Sequence, residues 1–333
     1  MAGFNCSDVP ATTATDAGVA GAGVLLSFII TAGLSLVLSL IIILYEVRRS
    51  SESKVLRKLL LSLSDQQVIT GIGIQSVALA KMHTMVPYHF FIVWMLSLLS
   101  TATHVGTLLA LVNDFKRDWV LRWLRQFFMF VNLVLSIVSG IFILMSVMRD
   151  VEPTLPIACV WEVGSRGTPS NAGTSIAGTV VVMAGQVIFF LLGVWYLHVK
   201  NRRWVRGVQV VGLIVLAAIG AGAAVRVILL SQAFGRPSVK LEGTAEKDWS
   251  FGQLLPLLML LLPLVSTVEI LRGRWTFGCL QSWELTWSGE MRIPSPVVDD
   301  QAPLLYGGEK LQEVRASFQA NPFWGTPCSR FST

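Results

Sequence analysis

Hydrophobic positions in this chain fall into seven long blocks separated by short polar connections. The blocks cover residues 23–45, 59–80, 87–112, 124–148, 174–199, 208–231 and 251–271. A bilayer core of about 30 Å is crossed by roughly 20 apolar residues in a helix, and a backbone surrounded by lipid must satisfy its own hydrogen bonds. The pattern therefore predicts an all-α polytopic membrane protein: a seven-transmembrane-helix bundle over residues 23–272. Residues 1–22 form an outer segment ahead of it. Beyond residue 273 the apolar pattern stops, and Pro294, Pro296, Pro303, Pro322 and Pro327 are scattered among Ser, Gly and charges. That composition predicts a disordered tail over 273–333.

Two of the blocks carry an organised polar subset. The second contains Ser64, Asp65, Gln66, Gln67 and Thr70. In the third, Ser97, Ser100, Thr101, His104 and Thr107 recur at spacings of three and four, which puts them on one helix face. Ionisable groups inside a span cost about 2.5–3.5 kcal/mol on insertion scales and mark functional candidates. Asp65 and His104 lie at similar depths on consecutive antiparallel helices, so the spacing predicts that they can meet. Such a pair is readable as a buried tie fixing helix register, as an acid–base couple, or as a proton relay. Glu269, near the inner end of the seventh block, is a further candidate acid, and it is readable as a snorkelling side chain, as is Arg226 near the outer end of the sixth. His83, Tyr88 and His89 flank the short second connection and read as interfacial. Pro256 and Pro263 predict a kinked seventh helix. Gly71 with Gly73, and the small residues from Gly220 to Ala224, read as close-packing devices.

Composition agrees with a membrane class. Of 333 residues 53% are hydrophobic and 14% charged, against about 25% charged in soluble domains. The net charge of +6 is not a nucleic-acid footprint, because the basic residues concentrate in alternate connections. Fifteen Lys and Arg fall in or beside the connections after the first, third, fifth and seventh blocks, counting Arg57 with the first, Arg125 at the edge of the third and only Arg272 and Arg274 after the seventh, and six fall on the other side. The positive-inside rule then places the N-terminus outside or in the lumen and the tail in the cytosol. The first 20 or so residues lack a basic leader region and contain Asp8 and Asp16, so the first block is expected to insert as itself. Cys6 and Cys159 lie on the predicted oxidising side, as a disulfide or as two free thiols. Cys279 and Cys328 fall in the tail and are expected to be reduced. Asn5-Cys6-Ser7 is a glycosylation sequon on the outer side. Trp275, Trp283 and Trp287 suit the membrane interface. No His/Cys set has metal-ligand spacing, and neither a serine nucleophile elbow nor a nucleotide loop is present, so no metal and no cofactor is predicted.

Several segments taken together resemble a large family of fungal seven-span integral membrane proteins. They are Ala20-Gly21-Ala22-Gly23-Val24-Leu25-Leu26-Ser27-Phe28, then Leu63-Ser64-Asp65-Gln66-Gln67-Val68-Ile69-Thr70-Gly71, then Tyr88-His89 and Ser100-Thr101-Ala102-Thr103-His104. Trp249-Ser250-Phe251-Gly252-Gln253-Leu254-Leu255-Pro256, with Leu262-Pro263 and Glu269, completes the set. The resemblance covers residues 15–275. It implies a fungal source and a role in making or handling a lipophilic secondary metabolite, because some members accompany pigment and meroterpenoid pathways. A membrane terpene-cyclase role has been proposed within that group.

Three functions follow as expectations. A cyclase or isomerase would start cation formation by protonation, with Asp65, His104 and Glu269 as candidate catalytic residues. Phe90, Phe91 and Trp94 are available to stabilise a cation, and no aspartate-rich motif for a diphosphate is present. A non-catalytic accessory, scaffold or export protein would serve other pathway enzymes. A receptor would share the seven-span layout, but Asn113-Asp114-Phe115-Lys116-Arg117 departs from the Asp-Arg-Tyr type. The expected partners are the lipid bilayer, a lipophilic intermediate and pathway enzymes, in the endoplasmic reticulum or plasma membrane.

Overall fold

The structure, a computed structural model, describes residues 6–49, 54–117, 119–164, 167, 169, 172–198, 205–265, 267–269 and 272. The Asn5 sequon, Cys279, Cys328, the tail tryptophans and residues 273–333 lie outside the described residues. The chain divides into a unit over Met1–Thr267 and a second over Val268–Thr333. All architecture below belongs to the first.

The fold is almost entirely helical. A short α1 (Ala17–Ala20) leads into α2 (Ala22–Arg49), followed by α3 (Lys54–Ala80), α4 (Pro87–Ala110), α5 (Val112–Arg117) and α6 (Trp119–Met148). Then come α7 (Gly173–His198), α8 (Val205–Leu230) and α9 (Phe251–Met259). Asp16 caps α1 by accepting from the Gly18 amide, and Pro87 opens α4 where a missing amide costs nothing. Residues 261–265 and 267–269 are again helical after a turn at Leu260. Pro263 cannot donate to the Met259 carbonyl, which accounts for the break there.

Six helices are long and apolar enough to cross a membrane, running over Ala17–Glu46, Pro87–Ala110, Trp119–Met148, Gly173–His198, Gly207–Leu230 and Phe251–Glu269. The chain is thus an all-α, multi-pass membrane protein. The helix between the first two of these, α3, is long but too polar to join them by composition, because its middle is the Ser64–Thr70 cluster.

The hub is α4, 94% buried across its apolar window, whereas the window over α9 is 12% buried. It packs against α2, α3, α6, α7 and α8. Two apolar clusters surround it, one around Phe90, Trp94, Leu25 and Ile157, the other around Leu60, Leu108, Phe115 and Met129. Small residues allow the close approaches. A Cβ on Gly71 would sit 2.6 Å from Ser100 Oγ, and one on Gly212 3.0 Å from Leu109 Cδ1. A Cβ on Gly23 would overlap the Gln253 carbonyl, so α9 lies backbone-close on α2.

One end of the bundle is tied shut. Cys6 and Cys159 form a disulfide across 153 residues, anchoring the N-terminal segment to the 3₁₀ turn Ile157–Trp161. Two-residue strands β1 (Thr13–Ala14) and β2 (Leu241–Glu242) pair in parallel beside it. At the opposite end, Arg57 of α3 bonds Glu46 of α2 and, at 2.7 Å, Asp114 of α5. Arg57 and Arg125, counted from sequence among connection charges, are in fact buried helical residues. Their charge serves internal pairs instead of facing solvent.

Candidate functional site

Two faces of α3 organise the polar chemistry. The first turns inward. Ser100 Oγ donates to the Gln67 carbonyl at 3.0 Å through the gap left by Gly71. Gln75 Nε2 donates to Asn132 Oδ1 of α6 at 2.9 Å, and Asn132 Nδ2 donates to Thr101 Oγ1 of α4 at 3.1 Å. Ser97 and Ser136 share a hydrogen bond of 2.8 Å. These ties join α3, α4 and α6 where lipid offers no competing partner, and they account for most of the polar stripe on α4.

Asp65 belongs to the same junction, but its partner differs from the one expected. Arg125 of α6 donates to both Asp65 Oδ1 and Ser64 Oγ. The Arg125 guanidinium also lies 5.4 Å from the Phe115 ring centre. The Asp65 side chain is 50% exposed, whereas Arg125 is 4% exposed. No hydrogen bond joins Asp65 to His104 among the described residues. His104 is buried on α4, and its Nδ1 has no hydrogen-bond partner there. Similar depth leaves the azimuth around α3 open, and Asp65 turns to α6, whose arginine takes the carboxylate. Glu269 is exposed and belongs to the second unit.

The second face of α3 borders a cleft of about 290 Å³. Helix α9 packs on α1 and α2, leaving a gap whose floor is α2 and whose sides are α3 and α9. Gln66, Gln67, Thr70 and Gly73 line one side, Ser27, Phe28 and Thr31 the floor, and Gly252, Leu255 and Pro256 the other side. No charged side chain is among these residues. Gly73, unlike Gly71, has open space where a Cβ would stand. Val77, Leu255 and Met259 along the rim are exposed, so the cleft opens sideways on the apolar surface.

A third polar cluster escaped the sequence reading. Glu246, in the connection after α8, is 0% exposed. His89 Nε2 lies 2.7 Å from its Oε1, the Tyr88 hydroxyl donates to its Oε2 at 3.1 Å, and the Asp16 amide donates to Oε1 at 3.3 Å. The Tyr88 oxygen in turn accepts from the Gln232 amide at 2.8 Å. Tyr88 and His89 are thus the clamp on a buried carboxylate, not interfacial side chains. Nothing local to 240–248 distinguishes Glu246 from Glu242 or Asp248, and Tyr88 and His89 read in the sequence as interfacial.

Gly21 and Gly23 abut Gln253 near the end of the bundle where His89 meets Glu246. Comparison with known proteins returns no matching family model, no matching curated protein and no matching solved structure.

Proposed function

We propose that this chain is a seven-span membrane protein of secondary-metabolite biosynthesis that takes a lipophilic intermediate from the bilayer into the α2–α3–α9 cleft. The observation that carries this reading is the cleft itself: uncharged, edged with polar groups, and open sideways where a membrane-dissolved molecule arrives. Ligand sites are mostly apolar, with few oriented polar groups, and span about 300–1,000 Å³; this one sits at the small end.

Parity supports seven spans. The Cys6–Cys159 disulfide requires both cysteines on one side, hence an even number of crossings between them. With α2, α4 and α6 alone the number is odd, and α3 makes it even. At 27 residues and 1.5 Å per residue, α3 is about 40 Å long, enough to cross. The β1–β2 pairing places residues 13 and 241 together and imposes the same parity. Disulfides form on the oxidising side, which agrees with the basic bias in putting the N-terminus outside.

Cyclisation or isomerisation is the second reading, favoured by the Asp65–Arg125–Ser64 cluster. It supplies a half-exposed carboxylate, positioned by a guanidinium, for proton transfer in an apolar setting. That cluster does not line the cleft, so binding is the better supported role. The test is metabolite profiling of the source organism without this chain, then restored with wild type or Asp65→Asn. A carrier role predicts reduced product, no uncyclised isomer, and restoration by both forms. An accumulating uncyclised isomer cleared by wild type alone would establish the catalytic reading in its place.

A further inference from the structure

The consecutive helices α7 and α8 each lean on the hub and leave a gap between them. Helix α7 packs on α6 and α4, and α8 packs on α4 and α2. The gap is a groove of about 490 Å³ with α4 as its floor. It shares no lining residue with the α2–α3–α9 cleft. Glycines set its width, since a Cβ on Gly178 of α7 or on Gly222 of α8 would meet nothing within 4 Å. Phe91, Trp94 and Leu98, on one face of α4, make the floor apolar. Val181, Val225 and Leu229 on the flanking helices are exposed, so the groove stands in the belt of surface that faces hydrocarbon.

One charged side chain lines it. Arg226 of α8 stands a turn before the helix ends at Leu230 and is exposed. It makes no ion pair and no hydrogen bond among the described residues, whereas Arg57 and Arg125 reach carboxylates within the bundle. No acidic side chain lines the groove. On the α7 wall, Thr174 and Ser175 are exposed, and their hydroxyls have no partner among the described residues. Thr179 Oγ1 is spent on the Ser175 carbonyl at 2.9 Å. The Trp94 indole nitrogen faces α6, 3.3 Å from where a Cβ on Gly140 would stand. The donors open to the groove are therefore one guanidinium and two hydroxyls, all within about a turn of a helix end.

A guanidinium beside hydrocarbon must reach water or an anion. Snorkelling alone would satisfy the charge and leave the groove unfilled, its walls without contacts. An acidic headgroup on a hydrocarbon chain satisfies both, and phosphate offers a guanidinium a bidentate partner with oxygens left for the hydroxyls. We infer that the α4–α7–α8 groove holds an anionic phospholipid from the leaflet at the disulfide end, its phosphate on Arg226, Thr174 and Ser175 and an acyl chain along Phe91, Gly178 and Gly222. This second site goes beyond the reading of the α2–α3–α9 cleft and does not depend on it.

The test is native mass spectrometry of the full chain in dodecyl maltoside, titrated with dioleoyl phosphatidylglycerol or dioleoyl phosphatidylcholine. The two lipids share their chains and their phosphodiester and differ in headgroup charge. Wild type is expected to retain phosphatidylglycerol about tenfold more tightly than phosphatidylcholine, the size of one charge-assisted hydrogen bond. Arg226→Gln should bring that ratio below about twofold. Arg236→Gln, which changes an exposed arginine outside the groove, should leave the ratio as it is. Gly222→Leu should weaken both lipids about tenfold by filling the groove, and thermal melting of each variant checks that the fold is kept. Equal retention of the two lipids by wild type, or an unchanged ratio in Arg226→Gln, would overturn the headgroup assignment. An equal loss in Arg236→Gln would assign the preference to general surface charge and overturn it too. Undiminished lipid binding by a stably folded Gly222→Leu protein would overturn the groove as the site.

Discussion

The two faces of α3 differ in what their polar groups are doing. On the face toward α4 and α6, Ser64, Gly71 and Gln75 are buried, and side chains from two other helices reach Ser64, Gln75 and the Gln67 carbonyl. On the face toward the cleft, Thr70 keeps a free lone pair and Gly73 an empty space. Both faces are equally conspicuous in the sequence, and composition cannot separate them. Saturation does: a polar group whose partners come from the protein holds the bundle together, and one left with capacity is available to a ligand. Glu246 extends the first class to the disulfide end, where three donors converge on a fully buried carboxylate.

If this division is right, substitutions on the saturated side should cost stability and those on the cleft side should not. The largest effect is expected for Glu246→Ala. It strands Tyr88, His89 and the Asp16 amide, and at about 1–3 kcal/mol for each unsatisfied buried group it should lower unfolding stability by at least about 3 kcal/mol in a detergent or urea titration. An unchanged midpoint would remove Glu246 from the structural class. Next comes the disulfide. Cys6→Ser is expected to cost about 2–5 kcal/mol, seen as a lowered melting temperature that a reductant reproduces in wild type and cannot deepen in the variant. Gly71→Ala should cost about 1–3 kcal/mol by overpacking against Ser100, and Ser100→Gly in the same chain should recover part of that loss. The smallest effect belongs to Gln66→Leu, within about 0.5 kcal/mol of wild type, because no protein partner is lost.

Much of the fold was legible because membranes enforce a simple rule. Blocks of apolar residues had to be helices, and the predicted block over 87–112 differs from α4 mainly at its end, where Leu111 interrupts the helix before α5. The cysteine pair was visible as an alternative, and the structure joins it. The site was less legible. Depth arguments placed Asp65 near His104, but depth says nothing about azimuth, and Arg125 was hidden among the basic residues of a connection. Glu246 was invisible for the opposite reason: its partners lie 157, 158 and 230 residues away in sequence, and periodicity reports only local neighbours. Gly71 and Gly73 looked alike as small residues, although one is filled by Ser100 and the other borders empty space.

Gly73 supplies the most direct test of the central claim, that the α2–α3–α9 cleft is a binding site and not a packing defect. Gly73→Leu places a side chain in the cleft where a Cβ meets nothing within 4 Å, and leucine is the better helix former. The measurement is binding of the lipophilic fluorescent probe 2-naphthol to Gly73→Leu in phosphatidylcholine nanodiscs, read by anisotropy against empty nanodiscs, alongside its melting temperature. The account predicts a loss of at least about tenfold in affinity with melting no lower than wild type. Wild-type affinity in a stably folded Gly73→Leu protein would contradict it.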